Sequence, residues 1–337
     1  MSNMKRISVI GAGSWGTALA IVAARAGHEV ILWSRNDEVV NSITDKRFNA
    51  RYLSSTQIPH SVSATNDIYE TLEGSSLVLL ATPSHVVRAL LTVMKPALNE
   101  GSTIVSVAKG IEIESGKRVS EIVREVLGEQ FSQRFVCLSG PSFAKEVVEN
   151  HPTAIVAASS SDESARTVQT ALSFENLRIY TNTDVVGTEL GGSVKNVMAI
   201  AAGMTAGLGY GSNSIAALIT RGLAELTRLA LSQGAQVETL MGLAGLGDLV
   251  LTCTGSLSRN RFVGEELGKG RTIEEITHGM NEVAEGIKTS RAVKRLAQKA
   301  GIEMPITSEV DAVLYEGKSA SDAVAVLMSR PLRSETN

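Results

Sequence analysis

Three glycines near the start of the chain constrain its fold more than any other feature. Gly11, Gly13 and Gly16 follow a short β-branched run and precede an alanine-rich segment with helical periodicity. In a strand–turn–helix unit the first glycine permits a tight turn, the second lets a ligand approach the backbone, and the third lets helix and strand pack closely. N–H groups at the start of such a helix favour an anion such as a diphosphate. The pattern predicts a dinucleotide-binding domain of the Rossmann type, and a ligand-free turn is the weaker alternative.

The first half of the chain alternates short apolar runs with helical patterns, which is typical of a doubly wound, mostly parallel α/β sheet. Strands are predicted at residues 7–10, 30–33, 77–81, 103–108, 135–139, 154–158 and 178–180. Helices are predicted at 14–25, 84–94, 116–127 and 163–171, with Gly27 as a left-handed C-terminal cap and Asp162 as an N-cap.

Strand signals stop at about residue 184, and the remainder is predicted to be helical, beginning with a Gly- and Ala-rich helix over 185–208. A chain of 337 residues is longer than a single hydrophobic core usually supports. We therefore expect an α/β domain over residues 1–185 and an all-helical domain over 186–330.

Composition and charge narrow the functional classes. A net charge of −3 without a basic stripe argues against a nucleic acid partner. Cys137 and Cys253 lack metal-ligand or redox spacing, which predicts neither a disulfide nor a metal site and fits a reducing, cytoplasmic compartment. The basic start and apolar run resemble a secretory signal, but the glycines interrupt it. No uncharged apolar stretch of about 18 residues occurs, so we expect no membrane insertion.

Four further segments, 106–110, 139–144, 191–196 and 242–261, place polar groups where packing does not require them. Lys109 follows a predicted strand, and Lys195 lies in an otherwise apolar helix, where lost hydration lowers an amine's pKa and suits it to acid–base work. Asp248 lies in an apolar, glycine-rich stretch and requires a partner, for which a lysine amine is the natural candidate. The neighbouring Ser258, Arg259 and Asn260 supply a cation and several donors, enough to hold a phosphate.

The end of the second predicted strand bears on the cofactor. An NAD-specific domain normally places a carboxylate there to bind the ribose 2′-hydroxyl, but this chain has Arg35, whose guanidinium can pair with a 2′-phosphate. We therefore predict NADPH. Asp37 lies nearby, which leaves NADH as an alternative, and Arg35 as an ordinary solvated residue is the other alternative.

Taken together, these motifs resemble the bacterial glycerol-3-phosphate dehydrogenase [NAD(P)+] family. The resemblance rests on the glycine fingerprint, Val-Ala-Lys-Gly-Ile at 107–111, Ser-Gly-Pro-Ser-Phe-Ala at 139–144, the Lys195-Asn196 pair, Gly-Leu-Gly-Asp-Leu at 245–249 and Ser-Arg-Asn-Arg at 258–261, in order over nearly the whole chain. The helical domain resembles the C-terminal fold of 6-phosphogluconate dehydrogenase.

The resemblance implies a role for each motif residue. Lys195 corresponds to the proton acceptor, with Lys109 and Asp248 as further catalytic groups. Substrate positions are Lys109, Gly140, Ser142, Lys195, Asp248, Ser258, Arg259 and Asn260. Cofactor positions are Gly11, Gly13, Ser14, Trp15, Gly16, Arg35, Tyr52, Lys109, Ala144, Arg259, Val283 and Glu285.

The implied reaction is the reversible reduction of dihydroxyacetone phosphate to sn-glycerol 3-phosphate, a precursor of glycerophospholipids, by a homodimer. Two alternatives stay open. The 3-hydroxyacid and 6-phosphogluconate dehydrogenases also use a helix lysine, but pair it with an asparagine four residues later, where this chain has Ala199. A non-catalytic NAD(P)H sensor would have no reason to keep Lys195 and Asp248.

Overall fold

An eight-stranded sheet forms the first half of the computed structural model, which describes residues 4–278, 280, 284–332 and 334–335. The strands are β1 (Arg6–Ile10), β2 (Glu29–Trp33), β3 (Val62–Thr65), β4 (Leu77–Leu80), β5 (Thr103–Ser106), β6 (Val136–Ser139), β7 (Thr153–Ala158) and β8 (Leu177–Asn182). They are ordered β3-β2-β1-β4-β5-β6-β7-β8, and each neighbouring pair is parallel except β6 and β7. The predicted mostly parallel sheet is confirmed.

Helices connect the strands and then make up the rest of the chain. Those of the first half are α1 (Ser14–Arg25), α2 (Asp37–Lys46), α3 (Ile68–Leu72), α4 (Val87–Met94), α5 (Val119–Leu127), α6 (Glu129–Ser132), α7 (Ala144–Val148) and α8 (Asp162–Leu172). Those of the second half are α9 (Val185–Gly207), α10 (Ser212–Ser232), α11 (Val237–Met241), α12 (Asp248–Thr254), α13 (Arg259–Gly268), α14 (Ile273–His278), α15 (Glu285–Ala300), α16 (Pro305–Tyr315) and α17 (Ala320–Met328). Among the described residues, no helix is long and apolar enough to cross a membrane.

The sheet is buried on both faces, as a doubly wound fold requires. Val9 belongs to a core that includes buried residues of α1 and α8, whereas the adjacent Ile10 belongs to a separate core with residues of α4 and α5. Because β1 lies between β2 and β4, the chain reverses its winding there. Ligands of open α/β sheets bind beyond the carboxyl ends of the strands at such a point.

Helix α9 is the central element of the second half. It is buried along nearly its whole length, and small residues let its neighbours approach. A methyl group at Gly203 would overlap the Arg261 carbonyl of α13, and one at Gly264 of α13 would overlap the Ile200 carbonyl of α9. This close packing confirms the helix predicted from the Gly- and Ala-rich pattern.

Several local predictions were wrong. The helix expected from residue 116 begins at Val119, because Gly116 has a φ of +71° and the Glu121 carboxylate accepts a hydrogen bond from the Arg118 N–H (2.9 Å). The N-cap of α8 is Ser161, whose hydroxyl accepts from the Ser164 N–H, and Asp162 is the first helical residue. Strand β3 and helices α2, α3, α6 and α7 were not predicted.

Candidate active site

The glycine turn after β1 has the geometry that the sequence requires. Gly11 has a φ of +115°, and a Cβ there would lie 2.6 Å from the Ala81 carbonyl oxygen at the end of β4. Gly13 is the N-cap of α1, provides no side-chain acceptor, and is followed by no acidic residue in the first turn. The first turn itself therefore carries no carboxylate, and its N–H groups fit the diphosphate of a dinucleotide.

Residues distant in sequence surround this turn. The Ser14 hydroxyl donates to the Tyr52 carbonyl (2.9 Å), which fixes the segment before β3 against the start of α1. Trp15, Tyr52 and Ala144 are partly buried and pack against the same core. Among the described residues, the Thr82 hydroxyl is buried without a partner, and its methyl group borders Gly11. An orphaned donor beside the turn is consistent with a polar ligand there.

Arg35 and Asp37 differ in their surroundings. Arg35 is exposed and is the second residue after β2. Asp37 begins α2, and its carboxylate accepts a hydrogen bond from the Asn66 amide (2.7 Å). The Asp37 side chain is thus already engaged, whereas the Arg35 guanidinium lies on the surface beyond the strand.

Lys195 and Asp248, which are buried, form a charge cluster with the partly buried Lys109. The Lys195 Nζ pairs with one carboxylate oxygen of Asp248, and the Lys109 Nζ pairs with the other at 2.7 Å. Lys195 also donates to the Thr252 hydroxyl (2.8 Å), and Lys109 donates to the Gly140 carbonyl (3.2 Å). Asp248 is fully buried. The lysine partner expected for Asp248 is present, and the Asp248 carboxylate is shared by two lysines.

This environment makes one lysine titratable near neutral pH. The pKa of Lys195 is lowered to about 7, chiefly by burial and also by the nearby charge of Lys109, while the Asp248 carboxylate acts in the opposite direction. A single carboxylate cannot fully compensate two ammonium groups in a buried site. The cluster can therefore hold or release a proton at Lys195.

The glycine-rich stretch before Asp248 explains how that carboxylate reaches α9. Residues Leu243–Gly247 form a π-helical turn that leads directly into α12, whose first residue is Asp248. A Cβ at Gly191 of α9 would lie 2.5 Å from the Ala244 carbonyl oxygen, so the two segments touch through backbone. Thr252, one turn after Asp248, was not predicted as a site residue; the spacing of four residues on one helix face was the available signal.

The Ser-Arg-Asn motif forms the start of α13. The Ser258 hydroxyl caps the helix by accepting from the Arg261 N–H (3.2 Å), Arg259 is exposed, and Asn260 is buried. Asn260 donates to the Asn196 side-chain oxygen (3.0 Å) and accepts from the Gly286 N–H (2.9 Å). Ser258 thus acts as a cap, which leaves the Arg259 cation and the helix N-terminus as the groups that favour an anion.

Hydrogen bonds connect this motif to the lysine cluster. Asn196 lies next to Lys195 on α9, and its amide donates to the Lys109 carbonyl (3.1 Å). Together with the bond from Asn260 to Asn196, this links the loop after β5 to the start of α13. The start of α13 is thereby fixed relative to the lysines.

Glu285 lies at the start of α15 and faces the same region. Its burial raises the pKa of the carboxyl to about 7, while Arg259, a backbone hydrogen bond from Ser84, and the charges of Lys109 and Lys195 act in the opposite direction. The charges of Arg259, Lys109 and Lys195 therefore all act on the Glu285 carboxyl. Val283 lies outside the described residues.

The turn after β6 completes the site. Gly140 has a φ of +139°, and a Cβ there would lie 2.9 Å from the Ile155 Cα. The Ser142 hydroxyl donates to the Gly140 carbonyl (3.2 Å), the oxygen that also accepts from Lys109. Within the described part of the chain, the Ser139 hydroxyl is buried without a partner. The turns after β1, β5 and β6 thus lie at the same edge of the sheet.

Comparison with known proteins shows which family the chain belongs to. The family profiles described as NAD-dependent glycerol-3-phosphate dehydrogenase N-terminus and C-terminus match residues 6–165 and 184–325. Glycerol-3-phosphate dehydrogenase [NAD(P)+] of Koribacter versatilis is 55% identical over 98% of this chain and 99% of its own, and that of Myxococcus xanthus is 52% identical over 98% of each. The crystal structure of glycerol-3-phosphate dehydrogenase from Coxiella burnetii superposes with a TM-score of 0.93 at 41% identity, covering 97% of this chain and 99% of that one. The chain belongs to the NAD-dependent glycerol-3-phosphate dehydrogenase family.

Proposed function

We propose that this chain catalyses the reversible, NAD(P)H-dependent reduction of dihydroxyacetone phosphate to sn-glycerol 3-phosphate, which supplies glycerophospholipid synthesis. The observation that carries the proposal is the buried Lys195, paired with Asp248 between the sheet edge and the start of α13. Its pKa of about 7 suits a group that must both give and accept a proton.

The cofactor residues are those around the glycine turn. Backbone N–H groups of the turn would hold the diphosphate, with Ser14, Trp15, Tyr52 and Ala144 beside it. Lys109, Arg259, Glu285 and Val283 would contact the remainder of the dinucleotide. Arg35 would favour the 2′-phosphate of NADPH over NADH. When bound, NAD(P)H would supply the hydride.

Lys195 donates the proton in reduction and accepts it in oxidation. As an ammonium it stabilises negative charge growing on the substrate's carbonyl oxygen and donates a proton to it. Asp248 orients Lys195, and Lys109 adds a second positive charge beside the same oxygen. In the direction of oxidation the neutral amine of Lys195 accepts the hydroxyl proton.

The substrate contacts both halves of the chain in this proposal. Arg259, Ser258 and Asn260 bind its phosphate at the start of α13, while Gly140, Ser142 and Lys109 approach from the sheet edge. Ser258 takes part through its position at the helix start, since its hydroxyl accepts the capping hydrogen bond. The proposed division into residues 1–185 and 186–330 falls at the first residue of α9.

We also propose a cytoplasmic homodimer. The location is supported by the phosphorylated substrate and cofactor, which are metabolites of that compartment. Sedimentation of the purified chain tests the dimer, and a mass equal to one chain at micromolar concentration would contradict it.

The activity is tested by nicotinamide absorbance with purified protein, NADPH and a panel of ketones. Substrate-dependent oxidation is expected with dihydroxyacetone phosphate and not with a 3-keto acid, the substrate class of the rival dehydrogenases. NADPH binding without turnover on any ketone would favour the sensor alternative and overturn the proposal.

A further inference from the structure

A buried asparagine outside the resemblance-derived site is bonded to the glycine turn. Asn49 lies between α2 and β3 and is fully buried. Its side-chain nitrogen donates to the Ala12 carbonyl (2.8 Å) and to the Thr17 hydroxyl (2.8 Å), and its side-chain oxygen accepts from the Tyr52 N–H (3.2 Å). Both amide hydrogens are therefore used, and both go to the segment that begins α1.

The bond to Ala12 fixes the direction of a neighbouring donor. The Ala12 carbonyl and the Gly13 N–H belong to one peptide unit, and the described residues contain no cis peptide. In a planar trans unit the C=O and N–H groups point in opposite directions. Because the carbonyl points into the buried side toward Asn49, the Gly13 N–H points to the opposite side, at the N-terminus of α1.

A second hydrogen bond joins the segment of Asn49 and Tyr52 to the glycine turn. The Ser14 hydroxyl donates to the Tyr52 carbonyl (2.9 Å), and the Tyr52 N–H is the donor that Asn49 accepts. Asn49 and Tyr52 thus bond to the residues on either side of Gly13, Asn49 to Ala12 and Tyr52 to Ser14. Among the described side chains, the other donor near the Ala12 carbonyl is Thr17, at the longer distance of 3.4 Å.

We propose that Asn49 is a positioning residue for the cofactor diphosphate, because it sets the orientation of the Ala12–Gly13 peptide and so presents the Gly13 N–H to the ligand. The inference rests on the proposed dinucleotide cofactor. It concerns the diphosphate, which NADPH and NADH share, and it is independent of the 2′ position near Arg35.

Replacing Asn49 with Asp provides the direct test. The carboxylate keeps the shape of the side chain but cannot donate when ionised, so it repels the Ala12 carbonyl and the peptide is expected to rotate. The dissociation constants of NADPH and NADH should both rise by the same factor, on the order of 10- to 100-fold for one lost charge-assisted hydrogen bond. The kcat at saturating cofactor should stay near that of the parent.

Thr17→Val is the matched control. It removes the other acceptor of the same amide and the longer hydrogen bond from Thr17 to the Ala12 carbonyl (3.4 Å), and it leaves the shorter bond from Asn49 to Ala12 in place. We expect a lower melting temperature with unchanged cofactor affinity. A structural role alone would instead lower affinity in both variants in proportion to their loss of stability.

Cofactor binding is measured by nicotinamide fluorescence without substrate, which separates this inference from the proposed reaction. If the parent binds neither NADPH nor NADH, the proposed function fails. If the parent binds and Asn49→Asp binds equally well, or changes the ratio of NADPH to NADH affinity, the positioning role is overturned. Should the Asp variant not fold, Asn49→Ala removes both donors without adding charge and is judged by the same criteria.

Discussion

At the scale of single residues, the protonation of Lys195 decides the pH dependence of the proposed reaction. Reduction needs the ammonium as proton donor, so its rate should fall as pH rises through about 7, the pKa to which burial lowers Lys195. Oxidation needs the neutral amine, so its rate should rise through the same range. Initial rates in both directions, measured at saturating substrate, check this. Profiles that move in the same direction would contradict the assignment.

Removing the Lys195 amine should abolish chemistry without affecting the dinucleotide. Lys195→Ala loses both a proton donor and a positive charge at the developing oxyanion, and we expect kcat to fall by about three decades or more. NADPH affinity, measured by fluorescence, should stay within about twofold, because Lys195 is bonded to Asp248 and Thr252 and not to the glycine turn. A variant that retains more than about a tenth of the rate would exclude Lys195 as the donor.

The proposed role of Arg35 in cofactor choice is tested by a single substitution. Arg35→Asp replaces a cation with a carboxylate that repels a 2′-phosphate and accepts hydrogen bonds from the ribose of NADH. The ratio of kcat/KM for NADPH to that for NADH should fall by about 100-fold or more at fixed salt. If the parent already prefers NADH, or the ratio does not move, Arg35 is a solvated surface residue.

At the scale of elements, one helix depends on a carboxylate from another. Helix α16 has no side-chain cap of its own, and Glu225 of α10 accepts hydrogen bonds from the Ile306 N–H (2.7 Å) and the Thr307 N–H (3.3 Å) at its start. Burial raises the pKa of Glu225 to about 7, although these N–H groups and the charge of Arg228 favour the ionised form. The contact therefore has a pH-dependent contribution to folding.

The sign of that contribution is testable with Glu225→Gln. Between pH 4.5 and about 7 the folded state keeps the Glu225 proton while the unfolded state loses it, so the parent is destabilised as pH rises. Relative to the Gln variant, its free energy of unfolding should fall by up to about 3 kcal/mol across this window. Urea unfolding at several pH values measures the difference. Glu73→Gln, an exposed carboxyl, is the control, and a difference independent of pH for Glu225→Gln would contradict the assignment.

The elements also show what the sequence could predict. Strands β1 and β4 and helix α1 were predicted to within a residue because apolar runs and a glycine turn mark them. Strand β3, with the sequence Val-Ser-Ala-Thr, lies at the sheet edge and is mostly not buried, so it carries little apolar signal. Helix α2 begins with Asp-Glu and buries two residues, which hides its periodicity.

The site was predictable to a similar extent, for a physical reason. Lys195 and Asp248 lie in apolar stretches, where an ion demands an explanation, and the structure pairs them. Asn49 lies in a polar loop where an asparagine is ordinary, and its proposed role depends on the Ala12 carbonyl, 37 residues away in sequence. Contacts of this kind depend on tertiary packing, and local pattern does not encode them.

At the scale of the whole molecule, a hydrogen-bonded chain joins the two halves at the site. It runs from the Lys109 carbonyl through Asn196 and Asn260 to the Gly286 N–H, and so connects the loop after β5 with α9, α13 and α15. Each side chain in it is bonded at both ends. The start of α13 is therefore held in a fixed position relative to the lysine cluster, as the proposed binding of one substrate by both requires.

This arrangement predicts that efficient turnover requires the substrate's phosphate and that Arg259 binds it. Arg259→Ala removes the cation at the start of α13, and a charge-assisted contact to phosphate is worth about 1.5 to 3 kcal/mol, so KM for dihydroxyacetone phosphate should rise on the order of 10- to 100-fold. The test compares kcat/KM of the parent and the variant on dihydroxyacetone phosphate and on unphosphorylated dihydroxyacetone, with NADPH saturating for each protein. The unphosphorylated ketone should be a poor substrate for both proteins and should lose little further on mutation, because it has no anion for Arg259 to bind. Equal efficiency with and without the phosphate in the parent, or an equal loss on both ketones in the variant, would place the anion site elsewhere and leave Arg259 a role toward the cofactor and Glu285 alone.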